Sequence, residues 1–351
     1  MPTKVYFATN RSSTGSSNLA DAYNFTPLAP GQLTFGSAIV GDADLSQLQA
    51  GAIQQLGPTN TNTISHADEL EILGSGNDIL IFIHGFANSF SDGITRAAFN
   101  QQWLASSKRL NKGITTIAFT WPSAGVVVDD SDVFVGLLEA PLSLILSCFG
   151  QLHNPHCHAY EQDRQRAKEC GPALHSFLDR MTPLLLRART LGRRVTLLAH
   201  SMGNLVLSQG VDAMRTAALP GVTCFDEVIL AASDANWARD NAGAAPPDWL
   251  LVLPDIATRI SEYHSVRDDI VRLSADITDL QRMGRDGPVN KATDTFATPA
   301  SRFVDCHRLV DNMPNKTVDS CHQYYRRLHE IRDDIASMMA GAPTTDKIVT
   351  L

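Results

Sequence analysis

The stretch TLLAHSMGN, residues 196–204, joins an apolar run to a helical pattern and has Ser201 at its centre. The residues before the serine have the composition of a buried strand, and apolar residues from 202 to 213 then recur at helical spacing. A strand, a sharp turn and a helix therefore meet at one serine. Such a turn lifts the hydroxyl clear of the sheet and leaves it at a helix N-terminus, which is the geometry that a serine nucleophile requires.

The pattern Ser-x-Gly is not specific by itself, because it also begins at Ser13, Ser91, Ser123 and Ser208. Only Ser201 directly follows an apolar strand and directly precedes a helical pattern, so we take it as the candidate nucleophile. Gly203 supplies a small residue on one side of it. Ala199 stands where the usual motif has a second glycine and adds only a methyl group. The alternative is a serine that merely caps the helix.

Short apolar, β-branched runs alternate with longer helical stretches, which is typical of a mainly parallel sheet with helices on both faces. The first two strands precede a loop-like stretch, so we expect an antiparallel edge at the start of the chain and helices only after residue 77. The pattern predicts eight strands, at 4–10, 32–40, 78–85, 115–122, 194–200, 227–233, 258–265 and 302–310. It predicts helices over 91–110, 160–191, 204–218 and 322–339.

Composition and charge exclude several classes of protein. The formal net charge is −8 without basic clusters, which argues against a nucleic-acid partner. The N-terminus lacks a signal-peptide pattern, so we expect a cytoplasmic protein. The apolar stretch 133–150 contains Glu139 and Pro141 and is too short for a membrane span, so no membrane insertion is expected. The six cysteines lack C-x-x-C spacing and are expected to be free thiols, with a Cys306–Cys321 bridge as the alternative.

A second strand end, in ILIFIHGF at residues 79–86, precedes a loop and a helical pattern. Acyl transfer places negative charge on the former carbonyl oxygen, and backbone N–H groups at such a strand end can stabilise it. We assign these donors to Phe86 and Met202. The alternative is that Gly85 only permits a tight turn and that His84 is a buried structural histidine.

The base for a serine nucleophile is expected near the C-terminus, after an acid that orients it. Of the eleven histidines, the late ones are His307, His322 and His329. His322 opens the last predicted helix just after a loop, where a side chain can reach over the sheet. His307 falls within a predicted strand and His329 within a predicted helix, so His322 is preferred.

The acid is expected after a strand, at the carboxyl end of the sheet where ligands gather. Asp268 meets this condition in the loop HSVRDD and is the first choice. Its neighbour Asp269 is a rival. Asp234, at the end of EVILAASD, is another, because an acid one strand earlier can still reach the same histidine.

Taken together, these motifs resemble the α/β-hydrolase superfamily and, within it, the bacterial α/β-hydrolase family DUF900. The likeness spans most of the chain and rests, in order, on VYFATNR, the FG of LTFGSAIV, ILIFIHGFANSF, IAFTWPSAG, LLAHSMGN, VILAASDAN, HSVRDD and HQYY. It implies an α/β-hydrolase fold around the eight-stranded sheet, a triad of Ser201, Asp268 and His322, and ester hydrolysis. The similar family also tends to have an aspartate at the position of Asp234.

About thirty residues depart from the family pattern between Trp121 and Tyr160. We therefore predict one domain, 1–351, with a lid-like insertion at 124–159. The insertion would line an acyl pocket, or alternatively form extra core or dimer contacts. The residues expected to contact substrate are Trp121, His200, Leu142 and Leu146.

The sequence HNPHCH within this insertion offers His153, His156, Cys157 and His158 as metal ligands. Their spacing is not that of a standard zinc site, so no metal is expected.

These expectations describe a serine hydrolase of carboxylic esters with short to medium acyl chains, acting on a small molecule without a cofactor. A thioesterase, amidase or lipase would use the same triad. A member of the fold that binds a lipid or a partner protein without catalysis is a further alternative, and a homodimer through the insertion is left open.

Overall fold

The computed structural model describes residues 2–124, 155–216, 222–236, 248–278, 280–287, 301–344 and 346–351. The strands are β1 (Thr3–Thr9), β2 (Arg11–Ser13), β3 (Tyr23–Pro27), β4 (Thr34–Val40), β5 (Ile53–Leu56), β6 (Asn60–Thr61), β7 (Asp78–Ile83), β8 (Ile114–Thr120), β9 (Val195–His200), β10 (Glu227–Ala231), β11 (Ile260–His264), β12 (Ser301–Asp305) and β13 (Ile348–Thr350). The α-helices are α1 (His66–Gly74), α2 (Phe90–Ala105), α3 (Pro155–Glu169), α4 (Gly171–Thr190), α5 (Gly203–Thr216), α6 (Asp248–Ile256), α7 (Asp269–Thr278), α8 (Met283–Asp286), α9 (His307–Asp311), α10 (Val318–His322) and α11 (His329–Met339).

One large sheet has the strand order β13-β12-β11-β10-β9-β7-β8-β1-β4-β5, with β6 paired to β4. Neighbours from β13 to β1 are parallel, whereas β4 runs antiparallel to β1, β5 and β6. The predicted α/β class and the antiparallel pairing of the first two predicted strands are therefore confirmed. Within the described residues the sheet has eleven strands rather than eight, and β2 pairs with β3 in a separate hairpin.

The central strands β7, β9 and β10 are buried at every position, which is why they stand out in the sequence as continuous apolar runs. Alternate residues of β7 belong to two different cores. Ile79, Ile81 and Ile83 pack with residues of α4, α5 and α6, whereas Leu80 and Phe82 pack with residues of α2 and α11. The sheet is therefore covered on both faces, and only the loops at its strand ends are free to form a site.

Of the strands that the sequence pattern missed, β2 and β3 form the separate hairpin and the other three lie toward the edges of the large sheet. β5, β6 and β13 contain no buried residue, and so they lack the apolar alternation by which a strand is recognised. The stretch 41–77, expected to be a loop, also contains α1, which begins after Ser65. The side chain of Ser65 accepts a hydrogen bond from the N–H of Asp68 and so caps that helix.

Three predicted elements, one strand and two helices, have different bounds in the structure. The strand expected over 302–310 stops at Asp305, whose carboxylate accepts the His307 N–H at 3.1 Å, so His307 opens α9 instead of lying within a strand. The helix expected over 160–191 divides at Cys170, because Pro172 in the first turn of α4 favours a helix start.

The helix expected from His322 to Met339 is also divided. His322 is the last residue of α10 rather than the first of a helix, a short 3₁₀ turn follows at Tyr324–Arg326, and α11 begins at His329. The physical reason is that Tyr324 is drawn toward the sheet by hydrogen bonds to β11 and to the residue just after β10, described below.

Among the described residues, Cys306 and Cys321 are free buried thiols, so the alternative disulfide is not formed. Within the same residues, we find no helix with both the length and the apolar character that a membrane span would need. The predicted insertion at 124–159 lies outside the described residues, apart from Ala124 and the start of α3. Leu142, Leu146 and the side chains of His153, His156, Cys157 and His158 lie outside the described part of the structure, so the predictions made for them are not tested.

Candidate active site

Ser201 occupies the sharp turn between β9 and α5, with a φ of 54°. Residues with side chains rarely adopt this left-handed conformation, and it persists only where the surroundings hold it. The Ser201 N–H donates to the carbonyl of Ala231 at 3.0 Å, and its carbonyl accepts the N–H groups of Asn204 at 3.0 Å and Asp234 at 3.1 Å. The turn is therefore fixed by backbone hydrogen bonds to the last residue of β10, to the loop that follows β10 and to the first turn of α5.

The two small residues that flank Ser201 have different roles. A Cβ at Gly203 would lie 2.6 Å from the carbonyl oxygens of Ile83 and His84, so a side chain there would displace the backbone. Ala199, in contrast, lies inside β9, and its methyl group is fully buried in the apolar core. The close approach of α5 to the backbone after β7 therefore requires glycine at position 203, whereas the core has room for alanine at position 199.

His322 and Asp268 are paired. The Nδ1 atom of His322 lies 2.8 Å and 3.1 Å from the two carboxylate oxygens of Asp268, and both side chains are buried. Asp268 also accepts the N–H of Val271 at 3.0 Å. Burial favours the neutral imidazole, but the charge of Asp268 and its hydrogen bond outweigh burial and raise the pKa of His322 above its ordinary value. The carboxylate thus holds one ring nitrogen and leaves Nε2 for another partner.

Tyr324 fixes the segment that carries His322. Its hydroxyl donates to the carbonyl of Tyr263 in β11 at 2.6 Å and accepts the N–H of Ala232, just beyond β10, at 3.1 Å. The sequence reasoning quoted this residue in HQYY but gave it no role. A buried tyrosine hydroxyl needs such partners, which is why the polypeptide returns to the sheet immediately after His322.

His200, which precedes Ser201, packs against the candidate base. Its ring centroid lies 4.7 Å from those of both His322 and Tyr325, and its Nε2 lies 3.3 Å from the carbonyl oxygen of His322. Burial and the neighbouring His322 lower the pKa of His200 well below its ordinary value. His200 is therefore a neutral side chain packed beside the base, and its predicted contact with substrate stays a prediction.

The rival acids have other partners. Asp234 accepts from Tyr160 Oη at 2.8 Å and from Ser274 Oγ, and its carboxylate lies 3.1 Å from Nε of the fully buried Arg282. Asp269 begins α7 and pairs with Arg272 at 3.1 Å. Among the described residues, only Asp268 of the three candidate carboxylates bonds to His322.

The loop after β7 carries Phe86 and lies against the serine turn, because a Cβ at Gly85 would be 2.9 Å from Cβ of Ser201. The next residue, Ala87, has a φ of 53°. The N–H groups of Phe86 and Met202 have no acceptor among the described residues. The assignment of these two N–H groups to an oxyanion site stays a prediction.

Trp121 lies beneath this loop. It is fully buried, its indole N–H donates to the carbonyl of His84 at 2.8 Å, and its ring stacks on His84 at 5.4 Å. Burial and Arg11 lower the pKa of His84 well below its ordinary value, so this imidazole is neutral. The structure thus places Trp121 as a support of the loop, and its predicted role in binding substrate stays a prediction.

The other late histidines lie elsewhere. His307 bonds to Asp305 at 2.9 Å, and His329 packs on Trp103 at 4.9 Å between ring centroids. Within the described ranges, no three His, Cys, Asp or Glu side chains are arranged to hold a metal ion.

Sequence reasoning missed a buried polar cluster under the Phe86 loop, formed by Arg11, Asn88, Ser123 and Asp163. Three of these residues lie in the quoted motifs VYFATNR, HGFANSF and WPSAG, and Asp163 lies in a helical pattern. The sequence contains no periodic signal for this cluster beyond the polar residues that follow the apolar runs of these three motifs, and none for Asp163.

A serine in a strained turn at the end of a central parallel strand, with a histidine and an aspartate supplied by later segments, is the arrangement of the α/β hydrolases. The fold and this geometry assign the molecule to that class. The family model described as "Alpha/beta hydrolase of unknown function (DUF900)" matches residues 65–330, and the chain belongs to this family.

Solved structures of esterases are similar to the chain at a low level. An esterase from Pyrobaculum calidifontis, in its monoclinic form, is 8% identical with a TM-score of 0.29 over 88% of this chain and 80% of that one. Carboxyl esterase 2 from the mycorrhizal fungus Tuber melanosporum is 10% identical with a TM-score of 0.29 over 97% of this chain and 78% of that one. No curated protein matches the chain. The activity must therefore be argued from the residues themselves.

Proposed function

We propose that this protein is a serine hydrolase that cleaves carboxylic esters. The observation that carries the proposal is the combination of Ser201 at a φ of 54° with a buried His322 whose Nδ1 is bonded to Asp268. A serine that merely caps a helix needs neither a strained backbone nor a carboxylate-bound imidazole nearby.

In the proposed mechanism, Ser201 Oγ attacks the ester carbonyl while His322 Nε2 accepts the hydroxyl proton. Asp268 stabilises the resulting imidazolium. The N–H groups of Phe86 and Met202 stabilise the oxyanion of the tetrahedral intermediate. His322 then donates its proton to the departing alkoxide, and a water activated by the same histidine releases the acid and restores the serine. All the groups required belong to the chain, so no cofactor enters the mechanism.

Short- to medium-chain acyl esters are the finer part of the proposal. The apolar composition of residues 133–150, the segment expected from the sequence to line an acyl pocket, supports it, since apolar side chains favour an aliphatic acyl group over a charged one. Thioesters and amides react through the same groups and differ mainly in the pocket that binds them.

The test is hydrolysis of a p-nitrophenyl ester series of increasing acyl length, with mass spectrometry after organophosphate treatment. Ser201→Ala is expected to lower kcat by a factor on the order of 10⁴ or more and to abolish the adduct. Ser208→Ala is the matched control, because Ser208 also begins a Ser-x-Gly pattern but lies inside α5, where its hydroxyl donates to Leu205.

Full activity in Ser201→Ala, or an adduct on another residue, would overturn the proposal. Wild-type protein that forms no adduct and hydrolyses no ester, yet binds lipid vesicles, would favour the non-catalytic alternative.

A further inference from the structure

The proposed oxyanion donor Phe86 lies in a loop, residues 84–89, that is held by one buried carboxylate. The neighbouring Ala87 has a left-handed φ of 53°. A non-glycine residue keeps such a conformation only where its surroundings hold it. The contacts that hold Ala87 in this conformation therefore also orient the peptide that joins it to Phe86.

The carboxylate is Asp163, which is fully buried and projects from α3. Its Oδ2 accepts the Ser123 hydroxyl at 2.5 Å and the Ala87 N–H at 3.4 Å, and its Oδ1 accepts the Ala124 N–H at 3.0 Å. The Nη1 atom of Arg166, on the same helix, also donates to Oδ1 at 2.7 Å, so all four neighbours are donors. Only an ionised carboxylate offers acceptors at both oxygens, so an asparagine cannot satisfy the same set.

Arg11 holds the other side of the loop. Its two terminal nitrogens donate to the carbonyls of Asn88 at 2.7 Å and Ser123 at 2.9 Å. The Asn88 amide in turn donates to the carbonyls of Gly85 at 3.0 Å and Phe86 at 2.6 Å. Burial lowers the pKa of the Arg11 guanidinium to about 9, with the Asp163 charge acting in the opposite direction. The loop is thus bonded on both sides by groups of opposite charge.

We infer that Asp163 is a positioning residue for the oxyanion site and that it acts through Ala87 and Ser123 to hold the Phe86 N–H in line with Ser201. The inference rests on the proposed function. It also gives α3 a specific role, since this helix places Asp163 under the loop and the Tyr160 ring against Phe86, at 5.6 Å between ring centroids. An oxyanion donor acts chiefly in the transition state, so its misplacement affects kcat more than KM.

The test compares Asp163→Asn with Asp226→Asn. Asp226 is a matched control, since it also accepts a backbone N–H, from Val195 at 2.8 Å, and pairs with an arginine, Arg189 at 3.1 Å, but at the opposite end of β9. Asp163→Asn is expected to lower kcat for a p-nitrophenyl ester by about tenfold to a hundredfold, with KM nearly unchanged. Its affinity for a boronic acid, which forms a tetrahedral adduct on serine, should fall in parallel. Asp226→Asn should retain the wild-type kcat.

Arg11→Lys is the second variant, for use if Asp163→Asn does not fold. Lysine keeps the positive charge, but its single ammonium group cannot replace the two guanidinium nitrogens that donate to the carbonyls of Asn88 and Ser123. The kcat should therefore fall as it does in Asp163→Asn. Wild-type kcat and boronic-acid affinity in folded Asp163→Asn or Arg11→Lys would overturn the inference. Equal losses of kcat in Asp163→Asn and Asp226→Asn would also overturn it, since they would indicate a general structural effect. Failure of the proposed function is separate, because wild-type protein would then lack both activity and the Ser201 adduct.

Discussion

Two buried aspartates lie close to the serine turn, and their partners differ. Asp268 follows β11 and bonds to His322, the proposed base, whose pKa its charge raises against the effect of burial. Asp234 follows β10 and forms an ion pair with the fully buried guanidinium of Arg282, at 3.1 Å. Its backbone N–H, but not its carboxylate, bonds to Ser201.

The comparison teaches that distance from the nucleophile does not identify a catalytic acid. A carboxylate that faces an imidazole raises the pKa of the imidazole and stabilises its charged form, which is what general-base catalysis requires. A carboxylate that faces a buried arginine neutralises a charge that could not otherwise be buried. Asp268 therefore fits a catalytic role, and Asp234 fits a structural one.

The substitution that should distinguish the two aspartates most strongly is Asp268→Asn, through its effect on kcat. The amide cannot stabilise the imidazolium of His322, so kcat should fall by a factor on the order of 10⁴ with the fold retained. Steady-state kinetics on a p-nitrophenyl ester measure it. Asp269→Asn is the control, because this neighbour pairs with Arg272 instead. Comparable losses of kcat in Asp268→Asn and Asp269→Asn would contradict the assignment of Asp268 rather than its neighbour as the acid.

Asp234→Asn is expected to act on stability. It leaves the fully buried Arg282 without its counter-charge, which costs on the order of 3 to 5 kcal/mol of unfolding free energy. Urea denaturation measures this loss. The folded fraction should keep kcat within about tenfold of wild type, and adding Arg282→Met should recover part of the stability. A 10⁴-fold loss of kcat with normal stability would make Asp234 the acid instead.

The pH profile sharpens the comparison further. The pKa of His322 is raised, mainly by Asp268 acting against burial, and only the neutral imidazole can accept the serine proton. Activity should therefore fall as the pH falls through this raised pKa, with the midpoint of kcat/KM above the ordinary value for histidine. Asp268→Asn removes the charge that raises the pKa and should move this acid limb to lower pH. Asp234→Asn should shift the acid limb of the profile less than Asp268→Asn does. An equal shift in the two variants would contradict a catalytic role for Asp268 and a structural role for Asp234.

The smallest expected effect is that of Tyr160→Phe, which removes one of the hydrogen bonds to Asp234 and leaves the hydrogen bond from Ser274 and the ion pair with Arg282. The loss should be about 1 kcal/mol of unfolding free energy, since two partners still satisfy the carboxylate. Thermal or urea denaturation measures it, and kcat should change little because the aromatic ring against Phe86 is retained. A loss of several kcal/mol would show that the hydroxyl, rather than the arginine, dominates the cluster.

The sequence predicts the fold best where a strand is buried along its whole length. β7, β9 and β10 were found because both faces of each strand are apolar, and the position of Ser201 followed from the end of β9. Asp268 and His322 were selected because parallel strands bring their carboxyl ends to one edge of the sheet. The structure brings these two side chains together, while their roles stay proposals.

The partners of the buried charges could not be found in this way. Arg282 pairs with Asp234, and Arg11 bonds to the carbonyls of Asn88 and Ser123, across distant parts of the chain. Single buried charges leave no periodic pattern by which such partners could be predicted. The position of His322 at the end of α10 was missed for a related reason. The hydrogen bonds of Tyr324 to β11 and to the residue just after β10 interrupt a helical pattern that local sequence would have continued.

The position of β1 has a consequence for the order of folding. β1 pairs antiparallel with β4, which is synthesised soon after it, but its other neighbour is β8, a much later segment. The β1–β4 pair can form early on the ribosome and then exposes an unpaired strand edge until β8 emerges and joins it to β7. The nascent chain is therefore most vulnerable to intermolecular strand pairing during this interval, well before the serine turn has been made.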